Sequence, residues 1–444
     1  MKPLLSAPSI KQQHGAAFIV MLVIMIMGVT AFLVSSLKSN ALQIKRDEVT
    51  AEALAQAKEA LMGYAVSVNL TGGIARPGDL PCPDTNNDGV AENSCGSASG
   101  SNQAQRLGRL PWKTLGLSDL RDGNGERLWY AVSNNFKEKT HTICSSPGQP
   151  GCLNSDTAGT ITIRSPDGNL VFDASVNNGV AAIIISPGVV LQRTDKGSAQ
   201  DRSNAGVNLP ENYLDIALGE DNANFADGLT DGFIQGPIKD SSGNVILNDQ
   251  FLVITQDNIM QPIQKRVASE VKLCLNEYAG ILQNRGRYPW AAPLSPAPVS
   301  YADSSDGLFG RIPDQTFDNT KNDSGDVMLD VWGGNCNVQY GTWWLNWKEM
   351  VFYGLADAYK PVDPLIPPSS CAVGTCLSVN PPSATVDKNF VIIVAGKALP
   401  GQARGSNSEK GTLGNYLEAP NSSGATTFSQ SHSTAAFNDT TIFQ

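Results

Sequence analysis

The chain has 444 residues, of which 17% are charged, and its formal net charge is −10. This length accommodates two or three domains with hydrophobic cores, and the acidic balance argues against nucleic-acid binding, which uses clustered Lys and Arg. The low charged fraction, with 42 glycines and 26 prolines, favours an exported body.

The first predicted element is a long apolar helix near the N-terminus. A short polar leader ends at Gly15, and an uninterrupted apolar run follows over residues 16–34. This run is close to the roughly 20 residues that a helix needs to cross the hydrocarbon of a bilayer. The chain then contains no Gly or Pro until Gly63 and is rich in good helix formers. We therefore predict a continuous helix over residues 16–69 that spans a membrane and extends into water.

Two other interpretations of this segment stay open. A secretory signal peptide has a shorter apolar core followed by a small-x-small cleavage site, and residues 35–41 offer only a poor site. An ordinary single-pass anchor that is never processed would have the same apolar run.

A glycine before the apolar run, a membrane-length stretch and an unbroken helical extension together resemble a type IV prepilin or pseudopilin. The resemblance covers about the first seventy residues. It implies a leader over residues 1–15, cleavage after Gly15 and N-methylation of Ala16. Most members carry a glutamate at the fifth mature position, where this chain has Val20. Members without it resemble the K-type pseudopilin of type II secretion and the X-type minor pilins, which are similar to tip subunits.

The same resemblance implies partners and a location. The expected partners are other minor pilins or pseudopilins, a prepilin peptidase and an assembly platform, with the membrane contacted through the N-terminal helix. The implied location is a single pass through the inner membrane with the body in the periplasm, or at a pilus tip on the cell surface.

The segment DTNNDGVAE, residues 84–92, resembles the first half of a calcium-binding loop. Oxygen ligands at alternating positions precede a glycine, as in an EF-hand. The predicted calcium ligands are Asp84, Asn86, Asp88 and Glu92. Glu92 comes too early to be the bidentate last ligand of a true EF-hand, and a solvated polar turn is the alternative. No other cofactor is predicted.

The eight cysteines indicate disulfides. An even number with short spacings suits an oxidising compartment, and no pair has the C-x₂-C spacing or the nearby histidines of a zinc site. Three pairs are close in sequence, and the remaining two cysteines are left for each other. The predicted pairs are Cys82 with Cys95, Cys144 with Cys152, Cys371 with Cys376, and Cys274 with Cys336.

A second predicted helix, over about residues 259–284, begins what we interpret as a second copy of the first domain. Sequence matches occur in the same order in both halves. They pair Leu107–Pro111 with Phe309–Pro313, Glu126–Tyr130 with Glu349–Tyr353, Ala182–Ile185 with Val391–Val394, Asn212–Asp215 with Asn415–Glu418, and Asn248–Asp249 with Asn438–Asp439. We predict a first repeat over residues 50–256, which shares its helix with the anchor, and a second over 257–444.

Short runs rich in β-branched and aromatic residues predict strands. They include RLWYAVS at 127–133, GTITIRS at 159–165, NLVFDAS at 169–175, VAAIIIS at 180–186, VFYGLAD at 351–357 and FVIIVAG at 390–396. The predicted fold class is therefore α+β: a long pilin-like transmembrane helix followed by two tandem duplicated domains, each a helix packed on a small antiparallel sheet.

These features predict a structural minor pilin or pseudopilin, as a tip or initiating component. A permanently membrane-anchored binding or adhesion protein is the alternative. An enzyme is not expected, because the chain has three histidines and lacks a nucleophile motif such as G-x-S-x-G.

Overall fold

The structure is a computed structural model. It describes residues 14–67, 76–96, 103–145, 151–203, 206–224, 232–281, 284–294, 301, 307–313, 336, 343–361, 368, 370–371, 374–380, 383–424, 426–430 and 433–444. At 14–40 and 383–385 it describes the backbone only, Met25 excepted. The predicted leader lies outside the described residues as far as residue 13.

Two long helices and two short ones occur in the described part of the chain: α1 His14–Ser67, α2 Gln256–Gly280, α3 Trp344–Trp347 and α4 Asn407–Lys410. Helix α2 begins three residues before its predicted start because Thr255 caps it. The Thr255 hydroxyl accepts from the Asn258 amide while the Asn258 side chain accepts from the Thr255 amide, a reciprocal pair that satisfies two free donors.

Eighteen strands are described: β1 Leu107–Arg109, β2 Trp129–Val132, β3 Ile163–Arg164, β4 Leu170–Phe172, β5 Ala182–Ser186, β6 Ile216–Ala217, β7 Glu220–Asp221, β8 Phe233–Ile234, β9 Ile238–Lys239, β10 Val245–Leu247, β11 Gln250–Ile254, β12 Phe309–Arg311, β13 Val351–Leu355, β14 Leu377–Asn380, β15 Ser383–Lys388, β16 Phe390–Val394, β17 Thr427–Ser429 and β18 Thr440–Phe443. The six runs predicted as strands contain β2, β3, β4, β5, β13 and β16.

Two four-stranded antiparallel sheets have the same topology. The N-terminal sheet has the order β1-β2-β5-β11, and the C-terminal sheet has the order β12-β13-β16-β18. Trp129 lies opposite Ile185 in the first, and Phe352 lies opposite Ile393 in the second. Residues 50–256 hold the N-terminal sheet and residues 257–444 the C-terminal one.

Each large sheet is accompanied by a three-stranded sheet, of which sequence patterning predicted only β3 and β4. The orders are β4-β3-β8 and β15-β14-β17, and each contains one parallel pair, β3 with β8 and β14 with β17. The additional hairpins β6-β7 and β9-β10 belong to the N-terminal half.

Strand β5 is buried on both faces because different layers cover them. Ile184 packs in a cluster with apolar residues of helix α1, while Ile183 and Ile185 pack with Phe233 of the small sheet. Such double burial explains the continuous apolar run AIIIS, in which alternation is lost.

One hydrophobic cluster joins the two halves of the molecule. Leu54 and Leu61 of α1, Ile263 and Val267 of α2, and Ile392 of β16 all belong to it. The halves therefore share a core.

The loop Leu153–Asp156, which we name the bridging loop, carries polar contacts between the halves. The Leu153 amide donates to Asn346 Oδ1 at 2.8 Å, and Ser155 Oγ donates to the Ala395 carbonyl at 2.8 Å. Asp156 pairs with Arg404 at 2.8 Å. These bonds fix the orientation of one half relative to the other.

In the part of the chain that the structure describes, no helix combines the length and the apolar character that crossing a bilayer requires. This finding contradicts the predicted transmembrane helix and the predicted single-pass inner-membrane location with a periplasmic body. The described side chains of α1 are the physical reason. They include charged residues from Lys45 onward, and Leu54 and Leu61 pack on the body.

Candidate functional site

Helix α1 has two parts that differ in their surroundings. The side chains of residues 41–48 are all exposed, and Leu42 and Ile44 are 62% and 68% exposed. From Thr50 onward one face is buried, through residues three or four positions apart: Ala53, Leu54, Ala57, Leu61 and Ala65. This spacing places them on a single face of the helix. We name residues 41–48 the exposed segment.

The body holds α1 at the point where the buried face begins. The Gly123 amide donates to Thr50 Oγ1 at 3.0 Å, and Thr50 Oγ1 donates to the Arg46 carbonyl at 2.9 Å. A Cβ atom at position 123 would overlap the Arg46 carbonyl, so only glycine permits this approach. Farther along the helix, Lys58 Nζ donates to the Val253 carbonyl at 3.0 Å.

The residues that the prepilin resemblance singles out lie at the start of the same helix. Gly15, Ala16 and Val20 are in the first turns of α1. Their surroundings lie outside the described part of the structure, and cleavage and methylation stay predictions.

The predicted calcium ligands form a tight turn. Asp84 is buried, and its carboxylate accepts from the amides of Asn87, Asp88 and Gly89, the last at 2.7 Å. The Thr85 hydroxyl donates to the Glu92 carboxylate at 2.7 Å. Within the described residues no group of three His, Cys, Asp or Glu side chains is placed to hold a metal ion, and calcium binding stays a prediction.

The cysteines form four disulfides: Cys82–Cys95, Cys144–Cys152, Cys274–Cys336 and Cys371–Cys376. Disulfide bonding is thus confirmed as a property of the chain. Cys274 is on the buried face of α2, and Cys336 is fully buried beside the same core.

A buried arginine between two aromatic rings occurs at matching places in the two large sheets. Arg109 Cζ lies 4.3 Å from the ring centroid of Trp129 and 3.9 Å from that of Tyr213. Arg311 Cζ lies 4.1 Å from the ring centroid of Phe352 and 4.4 Å from that of Tyr416. Stacking on aromatic faces stabilises a guanidinium that burial removes from water. The sequence matches between the halves paired the two arginines but gave them no role. A charged residue within an apolar strand could have indicated one.

A buried acid pair also recurs. Asp249 Oδ2 accepts from the Asp215 amide and from Asn222 Nδ2, both at 2.8 Å. In the other half, Asp439 Oδ2 accepts from the Glu418 amide at 3.2 Å and from Asn421 Nδ2 at 3.0 Å. Burial raises the pKa of Asp215 to about 6, and burial with the nearby Asp215 charge raises the pKa of Asp249 well above its ordinary value.

These pKa values make a pH-dependent contribution to stability. An acid whose pKa is raised by folding binds more protons in the folded state than in the unfolded state. The acid pair therefore favours folding below about pH 4, and its contribution falls as the pH rises through about 6. We expect Asp249→Asn, which keeps an acceptor and cannot ionise, to gain in melting temperature relative to the parent between pH 5 and pH 8.

Thermal unfolding of both proteins across that range measures the difference. Asp240→Asn is the control, because hydrogen bonds from Asn244 lower the pKa of the exposed Asp240. The difference in melting temperature between this variant and the parent should not grow above pH 5. A difference for Asp249→Asn that is constant with pH would contradict the assignment.

A cavity of about 320 Å³ lies beside Arg109 at the β1 edge of the N-terminal sheet. Its base contains Leu107, Arg109 and Trp129, and its exposed or half-buried rim contains Asn208 and Glu211. We name it the Arg109 cavity. Sequence reasoning missed it because its rim comes from a loop about one hundred residues after its base.

Comparison with protein-family models, with curated proteins and with solved structures finds no match for this chain.

Proposed function

We propose that this chain is a structural subunit of a type IV pilus or of a type II secretion pseudopilus. The observation that carries the proposal is helix α1, which has 54 residues and in which the exposed side chains of residues 41–48 precede a face that is buried from Thr50 onward. Exposed apolar side chains on this helix, such as Leu42 and Ile44, are available to a neighbouring subunit. The exposed segment is the proposed assembly surface.

Two features support a tip or initiating position. Val20 replaces the glutamate that the resemblance places at the fifth mature position, so this chain lacks the carboxylate that would pair with the terminal amine of a neighbour. Helix α1 packs on β5, β11 and α2, and α2 packs on β16 and β18 of the C-terminal sheet. A body with two large sheets on one N-terminal helix is more easily placed at an end of a filament than within a crowded shaft. The proposed partners are other minor pilins or pseudopilins, a prepilin peptidase and an assembly platform.

The first test is mass spectrometry of the N-terminus of protein isolated from its native cells. We expect the chain to begin at Ala16 with one added methyl group. We expect Gly15→Val to block this processing, whereas Gly28→Val, a glycine within the same helix, should leave it unchanged. A native chain that begins anywhere except Ala16 would overturn the proposal.

The second test concerns the exposed segment. We expect Ile44→Asp to reduce co-purification with pilin-like partners at least tenfold, because it places a charge on the proposed apolar contact. Leu273→Asp is the matched control, since Leu273 is also an exposed apolar residue on a helix, α2, at 46% exposure. Equal recovery of partners with both variants would show that α1 does not mediate assembly.

A further inference from the structure

Strand β4 is an open edge of the small N-terminal sheet, and its side chains are apolar. The sheet has the order β4-β3-β8, so within the described residues β4 is paired on one side only. Leu170 and Val171 are 50% and 51% exposed. An edge strand offers backbone donors and acceptors to another chain, and proteins commonly protect such an edge with charged side chains. Strand β4 contains no charged residue.

The matching edge of the C-terminal half is protected in this way. Strand β15 is the edge of the sheet β15-β14-β17, and it ends in Asp387 and Lys388, whose side chains pair at 2.6 Å. Val386 of the same strand is half-buried and packs against the core. The exposed apolar edge therefore belongs to the N-terminal half and is not a feature of the repeated framework.

A hairpin of the N-terminal half adds a further apolar group near β4. Strands β6 and β7 form this hairpin over residues 216–221, between Asp215 and Asn222. In the C-terminal half the matching positions, Glu418 and Asn421, are joined by only two residues. The hairpin is thus an insertion into the repeated framework.

The hairpin is attached to the turn that precedes β4. Glu220 pairs with Arg164 of β3 at 2.6 Å, and Arg164 Nη1 donates to the Gly168 carbonyl at 3.1 Å. A Cβ atom on Gly168 would lie 3.5 Å from Leu218 Cδ1, which is ordinary van der Waals contact. These contacts hold Leu218, at the hairpin tip, beside the turn from which β4 starts.

The hairpin tip places a leucine where the backbone disfavours it. Leu218 has a φ of 53° and Gly219 a φ of 85°, as in a two-residue type I′ turn, whose first central position prefers asparagine, aspartate or glycine. The Leu218 side chain is also 63% exposed. This leucine neither suits the turn nor packs in the core, and strain of this kind is typical of functional sites.

The charges that flank β4 indicate the chemistry of the molecule that binds there. Asp167 and Asp173 stand on either side of the strand, and neither forms an ion pair among the described residues, since the nearby Arg164 pairs with Glu220. A segment with Lys or Arg at both ends would complement them. Two β4 strands paired antiparallel would instead bring Asp167 of each copy toward Asp173 of the other, and like charges across a strand pair are unfavourable.

We propose that the β4 edge binds, as an added strand, an extended segment of a partner protein whose apolar residues are flanked by Lys or Arg. Backbone hydrogen bonds to β4 supply affinity, and side-chain contacts supply specificity. Leu170, Val171 and Leu218 contact the apolar residues of the segment, and Asp167 and Asp173 pair with its basic ends. This binding is independent of the assembly role proposed for α1.

The test is fluorescence polarisation of a labelled synthetic peptide, Lys-Val-Thr-Val-Thr-Val-Lys, titrated with the full chain. One control peptide has Glu in place of both Lys residues. The other is N-methylated at every Val and Thr, which removes backbone donors and keeps the charge, so it separates strand addition from attraction between a basic peptide and an acidic protein. We expect saturable binding of the probe and at least tenfold weaker binding of both controls. Equal affinity for the probe and the N-methylated peptide, or no saturation with the probe, would overturn the proposal.

Two variants localise the binding. Leu218→Asn should fold and gain slightly in melting temperature, because asparagine suits the type I′ turn, yet it should bind the probe at least fivefold more weakly. Leu273→Asn, at an exposed leucine of α2, is the matched control and should bind as the parent does. Equal binding by these two variants would refute the site.

Val171→Lys, which gives β4 a charge like those of β15, should weaken probe binding at least tenfold. Sedimentation velocity of this variant and the parent tests the other occupant. We expect both to have the same oligomeric state. A parent dimer that Val171→Lys converts to a monomer would show that a second copy covers the β4 edge, and the proposal would be wrong.

Discussion

Replacing Cys274 and Cys336 together with alanine is expected to lower the free energy of unfolding by about 4 kcal/mol. The bond joins residues 62 positions apart, and a cross-link restricts the unfolded chain more strongly when it closes a longer loop. Both sulfur atoms lie in the core that the two halves share, so the loss should appear in the main unfolding transition.

Urea unfolding followed by circular dichroism under non-reducing conditions measures this loss. The control is the double alanine variant at Cys371 and Cys376, which are five positions apart and should cost about 2 kcal/mol by the same loop-length argument. A larger loss for the shorter loop would show that packing at the sulfur atoms, rather than restriction of the unfolded chain, dominates.

Gly310→Ala is expected to lower the free energy of unfolding by about 3 kcal/mol. A Cβ atom at this position would overlap the backbone carbonyl of Ala292. That carbonyl cannot retreat freely, because Ala292 and Arg311 exchange two backbone hydrogen bonds of 3.0 and 2.9 Å. The strand must shift, and with it the neighbouring Arg311 that stacks on Phe352 and Tyr416.

The control is Gly280→Ala, at the end of α2. A Cβ atom there meets nothing within 4 Å, and alanine favours the helix over glycine, so we expect an unchanged or slightly higher stability. Denaturant unfolding of the two variants under identical conditions makes the comparison. A loss for Gly310→Ala no larger than that for Gly280→Ala would show that the β12 edge tolerates displacement.

The central strands of the large sheets were predictable because their sequences are apolar throughout, as burial on both faces requires. Runs such as AIIIS and FVIIV have no polar side chain to place in water, and both become central strands. The helix beginning near residue 256 was predictable within three residues, since apolar residues recur at helical spacing. The predicted membrane crossing was wrong for the described part of the chain, where no helix has the length and the apolar character that a bilayer requires.

The functional geometry was harder to predict because it joins distant segments. Asp215 and Asp249 were visible only as matches between the halves, and their contact, in which the Asp215 amide donates to the Asp249 carboxylate, joins residues 34 positions apart. Asp84 was predicted as a calcium ligand from its spacing, yet its carboxylate caps three amides of its own turn. Arg109 stacks on the rings of Trp129 and Tyr213, which lie 84 positions apart in sequence.

Helix α1 passes from the exposed segment into the shared core without interruption, and this continuity sets how the molecule bears force. A pull on the N-terminal end acts along the helix axis and loads the contacts of Leu54, Ala57 and Leu61 in shear, all at once. The bonds at Thr50 and Lys58 share the load because they cross from the helix to the body. Contacts loaded together resist rupture better than contacts peeled one after another, so we expect α1 to hold the body firmly under tension.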